Sequence, residues 1–355
     1  MKWHDYTGVI HLHSAYSHDG RTPVPDILSA ARASGIDFLM LTDHSTLQAR
    51  HDGLEGWHDG ILLIVGQEIS PRFNHYIAFD IGIPILTPED GVPPSPQTYI
   101  DEVRSRGGIG FIAHPDHEGA KLFHVKHYPW LDWSVTGYNG IGIWDFMTDW
   151  QSSLKSLPSA LFGYFFPALA MRGPRQATLE RWDRLNQKER IVGFGELDNH
   201  DTIRKIFGLR FSVFPFERVF KLVTTHLLTE APLTGNNAQD IRTLLSALKD
   251  GKAYVAQEYF QQAKGFSFTM TDGNRSSTMG DDILSRDPLV ASVTLPSKGK
   301  IRLMRNGRLH HEAVSRRMDQ PIDDDGLYRI EVYLRALGKY RPWIFSNPIR
   351  VGERT

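Results

Sequence analysis

Short apolar runs alternate with helix-like segments through the first 250 residues of the chain. The runs are compact and rich in Ile, Val and Phe, which favours buried strands. They are GVI (8–10), DFLML (37–41), ILLIV (61–65), YIAF (76–79), GIGFIA (108–113), GIGIW (140–144) and IVGFG (191–195). Between them, the segments PDILSAARASG, QTYIDEVRSRGG, TLERWDRLNQKE and DIRTLLSALKDG read as helices. This alternation predicts a parallel α/β architecture.

The pattern changes after about residue 260, where short alternating runs are separated by turn residues. These runs are FSFTM, LVASVTL, IRLM, YRIEVYL and PWIFSNPIRV. The pair Asn306-Gly307 is a strong signal for a hairpin turn. We therefore predict an α/β domain over residues 1–260 and a small all-β domain over residues 261–355.

One apolar stretch, LPSALFGYFFPALAM (157–171), lies within an insertion around residues 150–175. It is too short to span a bilayer, and it contains two prolines. We predict a buried helical hairpin or a cover over an active site, and no contact with a membrane.

Composition narrows the classes of function. With 41% hydrophobic and 23% charged residues, the chain has the composition of a soluble globular protein. A formal net charge of -1 argues against a nucleic-acid partner. The same net charge is compatible with a local basic pocket for a small anion. The chain has no cysteine, so any metal must be held by imidazole and carboxylate groups. The N-terminal MKWHDYTGVI lacks the apolar core of a secretion signal, which predicts a cytoplasmic location.

Histidines and carboxylates stand at or near an end of nearly every predicted strand. After GVI, the segment HLHSAYSHDG places His11 and His13 on one face, because alternate side chains of a strand point the same way. In a β/α barrel, functional groups gather at the carboxyl ends of the strands. Because a histidine or a carboxylate recurs at the end of strand after strand, the pattern predicts a metal cluster. The histidines and carboxylates at these ends are His11, His13, Asp19, Asp43, His44, Glu68, His75, His114, Asp198 and His200.

The motifs HxHxxxS, DG, TDH, GxE, AHP and DxH, in this order, resemble the polymerase and histidinol phosphatase (PHP) superfamily over about residues 5 to 255. The resemblance implies a distorted (β/α)7 barrel, similar to a TIM barrel, with a cluster of two or three metal ions. The β-rich tail, with GKAYV, MGD, RNG and SNPI, resembles the extension of some stand-alone bacterial members. Those include carbamate-ester hydrolases of the carbaryl-hydrolase type.

The resemblance also implies three ligand sets for divalent ions. The ions would be Zn, Mn or Fe, since imidazole and carboxylate ligands suit all three. The first ion would be held by His11, His13, Glu68 and Asp198; the second by Glu68, His75 and His114; the third by Asp19, His44 and His200. Glu68 would then bridge two ions, and His11, Glu68 and His200 would lie nearest to the attacking hydroxide.

Other residues are expected to support the site. Asp43 is expected to accept a hydrogen bond from a ligand imidazole and orient it. Many relatives have a Glu in the strand where this chain has Gly142, and whether Asp145 replaces it is open. Basic residues near the motifs are expected either to bind substrate or to be ordinary surface arginines: Arg72, Arg172 and Arg175.

The predicted activity is hydrolysis of a small phosphomonoester or phosphodiester by attack of metal-bound hydroxide on phosphorus. One alternative is hydrolysis of a carboxylic or carbamate ester, because an apolar cover would suit an aromatic substrate. A second alternative is a metal-stabilised module without catalytic activity. In the first two cases the partner is a small-molecule ester.

Overall fold

The computed structural model describes residues 3–87, 94–206, 209–284 and 288–352 of the chain. Its first strands are β1 (His4–Ile10), β2 (Phe38–Leu41), β3 (Gly56–His58), β4 (Ile61–Val65), β5 (Gln67–Ile69), β6 (Tyr76–Phe79), β7 (Ile109–Ile112), β8 (Gly140–Asp145), β9 (Val192–Glu196), β10 (Thr202–Ile206), β11 (Leu209–Val213), β12 (Thr224–Thr229) and β13 (Ala253–Ala256). The helices are α1 (Val24–Ser34), α2 (Gln48–His51), α3 (Pro96–Ser105), α4 (Phe146–Ser152), α5 (Leu157–Phe165), α6 (Pro167–Ala170), α7 (Gln176–Lys188), α8 (Phe216–Val219) and α9 (Asn237–Lys249). The predicted α/β class is confirmed.

Among the described residues the strands form three sheets: a large sheet, a second sheet of five strands, and the antiparallel pair β10 and β11. In the large sheet, β4, β2 and β1 are parallel neighbours, and β12 and β13 continue it in antiparallel pairing. The second sheet has the order β5-β6-β7-β8-β9, in which β7, β8 and β9 are parallel. Between the two sheets lies one apolar cluster, to which each sheet contributes alternate residues. Its members include Ile10, Phe38, Met40 and Ile64 from the large sheet and Ile77, Phe79, Phe111 and Phe194 from the second.

The predicted barrel is not closed in the part of the chain that the structure describes. Among the described residues, the β-bridges that link the two sheets are isolated ones, His44 with Glu68 and Leu12 with Asn199. Both bridges lie beyond the ends of β1 and β2, in the loops that carry the predicted ligands. The two sheets are therefore bridged where the candidate metal site lies.

The C-terminal strands extend the large sheet. They are β14 (Ser267–Thr271), β15 (Ser276–Thr278), β16 (Asp282–Ile283), β17 (Leu289–Arg305), β18 (Arg308–Ile322), β19 (Gly326–Ala336), β20 (Lys339–Ser346) and β21 (Ile349–Val351). Strand β20 pairs with β13, so both parts of the chain share one sheet although the C-terminal strands enclose their own core. The division at residues 260 and 261 stays a prediction.

The predicted hairpin turn is present. Asn306 and Gly307 connect β17 to β18, and Arg305 pairs with Arg308 across the turn. Both turn residues have positive φ, 49° and 77°. Two positive φ angles are required by the turn type that best fits the twist of a hairpin, and Asn-Gly adopts them at low cost.

The apolar segment 157–171 is helical, but it is not a buried hairpin. Its side chains Leu157, Leu161, Phe162, Phe165 and Phe166 are 47–62% exposed. Only the opposite side of α5, which includes Gly163, is packed against the protein. The expectation of burial is wrong because it was based on composition, which does not show that Ala160, Gly163 and Tyr164 form the side of the helix that packs. Among the described residues, no helix is long and apolar enough to cross a membrane.

A buried ion-pair network joins α7 to the C-terminal strands. Arg329 on β19 donates from Nε and Nη2 to the two carboxylate oxygens of Asp183 on α7, at 2.7 and 2.8 Å. Its Nη1 donates to Glu331 at 2.8 Å. Removing one partner of a buried pair leaves an uncompensated charge, so this network fixes the position of β19 against α7.

A second buried cluster surrounds His226 on β12. Its Nδ1 lies 2.8 Å from Asp5 and its Nε2 lies 3.4 Å from Glu258. The hydroxyl of Tyr254 donates a hydrogen bond to the other carboxylate oxygen of Asp5 at 2.7 Å. Burial alone lowers the pKa of His226, but the charge of Asp5 and the hydrogen bonds to both carboxylates outweigh burial and raise the pKa to about 9. The folded protein therefore holds this proton more tightly than the unfolded chain does.

We predict that His226 stabilises the fold below its folded pKa and loses this effect at alkaline pH. The difference in unfolding free energy between the wild type and His226→Gln should be largest below about pH 6.5 and should shrink by about 3 kcal/mol as pH rises through about 9. Urea unfolding across this range measures it. The exposed His311→Gln serves as the matched control. A difference that does not change with pH would show that folding leaves the pKa of His226 unshifted, and a difference that grows as pH rises through about 6.5 would show that the buried imidazole is neutral; either result would contradict the prediction.

Candidate metal centre

Sharp backbone turns place three predicted ligands directly after their strands. His11 follows β1, His114 follows β7 and Asp198 follows β9, each within two residues of the strand end. Their φ angles are 66°, 25° and 50°, in a region that non-glycine residues enter at a cost of about 1–3 kcal/mol. The amide of Asp198 donates to the carbonyl oxygen of His11 at 2.7 Å and holds two of the turns together. The fold therefore maintains local strain where the predicted ligands lie.

Antiparallel pairing brings two further ligands to the same edge. Glu68 lies in β5, and His75 directly precedes β6, which is antiparallel to both β5 and β7. The start of β6 therefore lies beside the end of β7, close to His114. His44, in the loop after β2, pairs with Glu68 through a β-bridge. Side chains from both sheets meet at this edge.

The nine predicted ligands lie in three adjacent groups, in which every potential ligand atom is within 4.8 Å of the others in its group. The groups match the three sets that the resemblance implies, with His13 also within reach of the third. They are His11, His13, Glu68 and Asp198 (the first group); Glu68, His75 and His114 (the second group); and His13, Asp19, His44 and His200 (the third group). That these groups bind metal stays a prediction.

The first group has the spacing of ligands around a single small ion. Nε2 of His11 lies 3.3 Å from Oε2 of Glu68 and 3.4 Å from Oδ1 of Asp198. Nε2 of His13 lies 3.3 and 3.5 Å from the same two oxygen atoms. Ligand atoms of a tetrahedral zinc site are about 3.3–3.4 Å apart, because each lies about 2.0–2.1 Å from the ion.

Buried polar atoms without partners support this fit. Nε2 of His11, Nε2 of His13 and Oε2 of Glu68 are buried and make no hydrogen bond with any residue that the structure describes. Buried polar atoms are nearly always paired, so three such atoms facing one another need an explanation. A divalent ion at their centre would satisfy all three together.

The carboxylate of Glu68 faces two groups at once. Oε2 belongs to the first group, whereas Oε1 lies 2.7 Å from Nδ1 of His75 and 3.2 Å from Nε2 of His114. A carboxylate in this position suits two cations about 3.5–4 Å apart. The geometry therefore fits the predicted bridging role.

The third group is the most exposed. Oδ2 of Asp19 lies 3.4 Å from Nε2 of His44 and 3.3 Å from Nε2 of His200. The Asp19 side chain is 40% exposed, whereas that of Glu68 is only 1% exposed. A substrate coming from solvent would therefore meet the third group more readily than the first.

The pKa values in the cluster reflect strong coupling between acids and bases. Burial alone raises the pKa of Glu68, but the charges of His11 and His44 hold it well below its usual range. Burial alone lowers the pKa of His44 and His114, but Glu68 raises these values to about 10 and about 9. An imidazole must lose its proton to bind a metal, so cation binding at these nitrogens releases protons.

One functional residue, Glu196, was missed at the sequence level. Its Oε2 accepts from Nδ1 of His11 at 2.8 Å, and its Oε1 accepts from the backbone amide of His114 at 2.7 Å. A Cβ added to Gly142 would lie 1.4 Å from Oε1 of Glu196. Gly142 therefore makes room for a carboxylate that comes from the neighbouring strand β9. The available signal was its position at the end of the predicted strand, two residues before Asp198.

Two expectations about supporting residues are resolved. Asp145 does not take the place at Gly142, because both of its oxygens cap α4 by accepting from the amides of Met147 and Thr148. The expectation that Asp43 orients a ligand imidazole is wrong. Asp43 accepts from the amide and the hydroxyl of Ser14, at 2.6 and 2.7 Å, and thereby fixes the loop that follows His13.

A cavity of about 740 Å³ opens beside the cluster. His114 and Asp145 contribute to its inner wall, and Arg172 and Arg175 line it as well. Arg175 forms an ion pair with Glu118 at 2.6 Å, whereas the side chain of Arg172 has no ion pair among the residues described. Arg172 is therefore the better placed of the two to meet an anionic substrate.

Arg72 lies elsewhere. It is absent from the cavity wall, donates from Nη1 to the carbonyl oxygen of His127 at 2.7 Å and lies 4.2 Å from the ring centre of Phe73. These contacts hold the loop that precedes His75. A substrate-binding role for Arg72 stays a prediction.

Comparison with known sequences gives limited information. No family model matches the chain. An uncharacterized protein of Methanocaldococcus jannaschii is 23% identical over 146 residues, which cover 33% of this chain and 81% of that protein. This similarity carries no description of an activity.

Among solved structures, the chain is similar to a two-domain protein from Bacteroides vulgatus that contains a predicted PHP-like metal-dependent phosphoesterase. The similarity covers 97% of this chain and 95% of that protein, with 15% identity and a TM-score of 0.43. A proposed metal-dependent phosphoesterase from Bifidobacterium adolescentis is similar over 68% and 96%, with 13% identity and a TM-score of 0.36. An amidohydrolase from Chromobacterium violaceum with bound sulfate and no metal is similar over 65% and 99%, with 15% identity and a TM-score of 0.32. These TM-scores are too low to establish a common fold, so the proposals below rest on the side chains of the site.

We predict that Glu196 sets the metal affinity of the cluster. In Glu196→Gln, the single amide oxygen cannot accept from both His11 and His114, so one of them loses its orientation. Loss of such a supporting hydrogen bond lowers metal affinity about 10- to 100-fold, which competition with a chromogenic chelator measures. The same exchange at the exposed Glu189 is the matched control. Equal affinity of both variants and the wild type would contradict a positioning role.

Proposed function

We propose that the chain is a metal-dependent hydrolase of small phosphate esters. The observation that carries this proposal is the convergence of buried, unpaired ligand atoms from His11, His13 and Glu68 at the spacing of a metal site. The second and third groups adjoin the first through shared residues, so the arrangement suits two or three ions. Whether the ions are Zn, Mn or Fe depends on geometry and supply.

The residues of the chain have distinct roles in this proposal. Divalent ions held here would lower the pKa of a coordinated water and neutralise charge on a phosphoryl oxygen. Glu68 would keep two ions at a fixed separation, and Glu196 would keep His11 with its proton on Nδ1 and its Nε2 free for coordination. Asp19, the most exposed residue of the third group, would lie closest to a substrate entering from solvent.

Electrostatics favour a phosphate ester over a neutral ester. Arg172 lines the cavity without an ion pair among the described residues, and a phosphate ester is anionic already in its ground state. Support for the carbamate alternative came from an apolar cover over the active site. None of the exposed apolar side chains of α5 lines the cavity, so this argument no longer applies.

The test is metal analysis of the purified protein, followed by turnover of a phosphomonoester, a phosphodiester and an aryl carbamate with and without added Mn. We expect two or three ions per chain and release of phosphate or alcohol from a phosphate ester. His11→Ala should lower turnover by about 100-fold or more, because it removes a ligand of the first group. His51→Ala, which changes a histidine outside all three groups, is the control and should retain turnover.

Each other outcome points to a different conclusion. Cleavage of the carbamate alone would favour the ester alternative, and bound metal without turnover of any ester would favour the non-catalytic module. A protein that binds no metal, or a His11→Ala variant with full turnover, would contradict the proposal. Circular dichroism of His11→Ala separates loss of the ligand from loss of the fold.

A further inference from the structure

The exposed apolar face of α5 has a regular geometry. Its large exposed side chains recur at intervals of one, three or four residues, and the last of the set directly follows the helix: Leu157, Leu161, Phe162, Phe165 and Phe166. We call these five residues the α5 stripe. They expose on the order of 500 Å² of apolar surface, since a whole aromatic side chain offers about 150–250 Å². The largest apolar patch on a typical monomer measures about 300–600 Å² and is often functional, so this patch is a candidate interaction site.

The α5 stripe adjoins the mouth of the cavity. Leu154 and Lys155, just before α5, line the cavity, and so does Arg172, just after α6. On another part of the cavity wall, Lys121 and Leu122 form a short turn, and Leu122 is 55% exposed. A surface that covered the stripe would therefore lie next to the cavity opening.

Basic side chains lie near the α5 stripe. Lys121 and Lys155 are exposed and make no ion pair with any residue in the described part of the chain. Arg218 is also exposed, donates to the carbonyl oxygen of Tyr164 on α5 at 2.6 Å and lies over the Tyr164 ring. Exposed Leu and Phe side chains flanked by Lys and Arg are the features of helices that lie in the interface of an anionic membrane.

The area disfavours a second copy of the chain as the occupant. A stable interface buries about 800 Å² on each partner, more than the stripe offers. Insertion into a lipid interface needs neither a matching groove nor an area of that size.

We propose that the α5 stripe docks on a lipid surface that carries anionic headgroups, with Lys121, Lys155 and Arg218 facing the headgroups. Docking brings the opening of the 740 Å³ cavity to the lipid surface, so esters presented there are within reach of the cluster. This last consequence rests on the proposed hydrolase function, whereas docking itself does not. It revises the expectation that the segment 157–171 makes no contact with a membrane.

The experiment is sedimentation of the full-length protein with vesicles of phosphatidylcholine, with and without phosphatidylglycerol. We expect the wild type to bind the vesicles that contain phosphatidylglycerol and to bind pure phosphatidylcholine more weakly. Lys121→Gln with Lys155→Gln should weaken binding roughly 10- to 30-fold, since each basic residue near an anionic surface contributes about 1 kcal/mol. Phe162→Ser with Phe165→Ser should weaken it by at least about tenfold on both lipid mixtures.

The matched control is Leu309→Ser with Val314→Ser, which removes two exposed apolar side chains from β18 and should bind as the wild type does. Equal losses in this control and in the Phe162/Phe165 variant would overturn the proposal. So would a wild type that binds neither vesicle, or a wild-type dimer in light scattering that the Phe162/Phe165 variant abolishes. Sedimentation needs no turnover, so failure of docking and failure of the proposed hydrolase function are separate results.

Discussion

The structure of the site depends on one buried carboxylate. Glu68 is almost completely buried, and its two oxygens face imidazoles of different groups. An ionised carboxylate in such a place is costly unless positive charge surrounds it. The surrounding loops bring imidazoles to this carboxylate, with His11, His114 and Asp198 in strained backbone conformations. Because β6 is antiparallel to β7, His75 reaches the same oxygen as His114.

Much of the fold was predictable from the sequence because buried strands carry a strong local signal. Strands β4 and β6 coincide with the predicted apolar runs, and Asn306-Gly307 specifies its hairpin. Closure of the barrel was not predictable, since it depends on backbone pairing between distant strands, and here isolated bridges replace continuous ladders. Strand β18 was missed because its mostly exposed, polar residues show no apolar alternation.

The candidate ligands were predictable as a set because their order along the chain is specific, and the structure brings the same nine residues into three groups. Their supporting contacts were not predictable in the same way. Glu196 and Gly142 come from different strands, and only their packing shows that one side chain fills the space left by the other. Likewise, the sequence of α5 indicates an apolar helix, but only the packing of Ala160, Gly163 and Tyr164 shows which side of the helix faces the protein and which side faces solvent.

The central claim is that Glu68 joins two metal sites. Its most direct test is the metal content of Glu68→Gln compared with that of the wild type, measured by elemental analysis on folded protein. The account predicts that the variant loses the ions of both the first and the second group, because each group uses a different oxygen of the same carboxylate. A variant that keeps the full metal content of the wild type would contradict it.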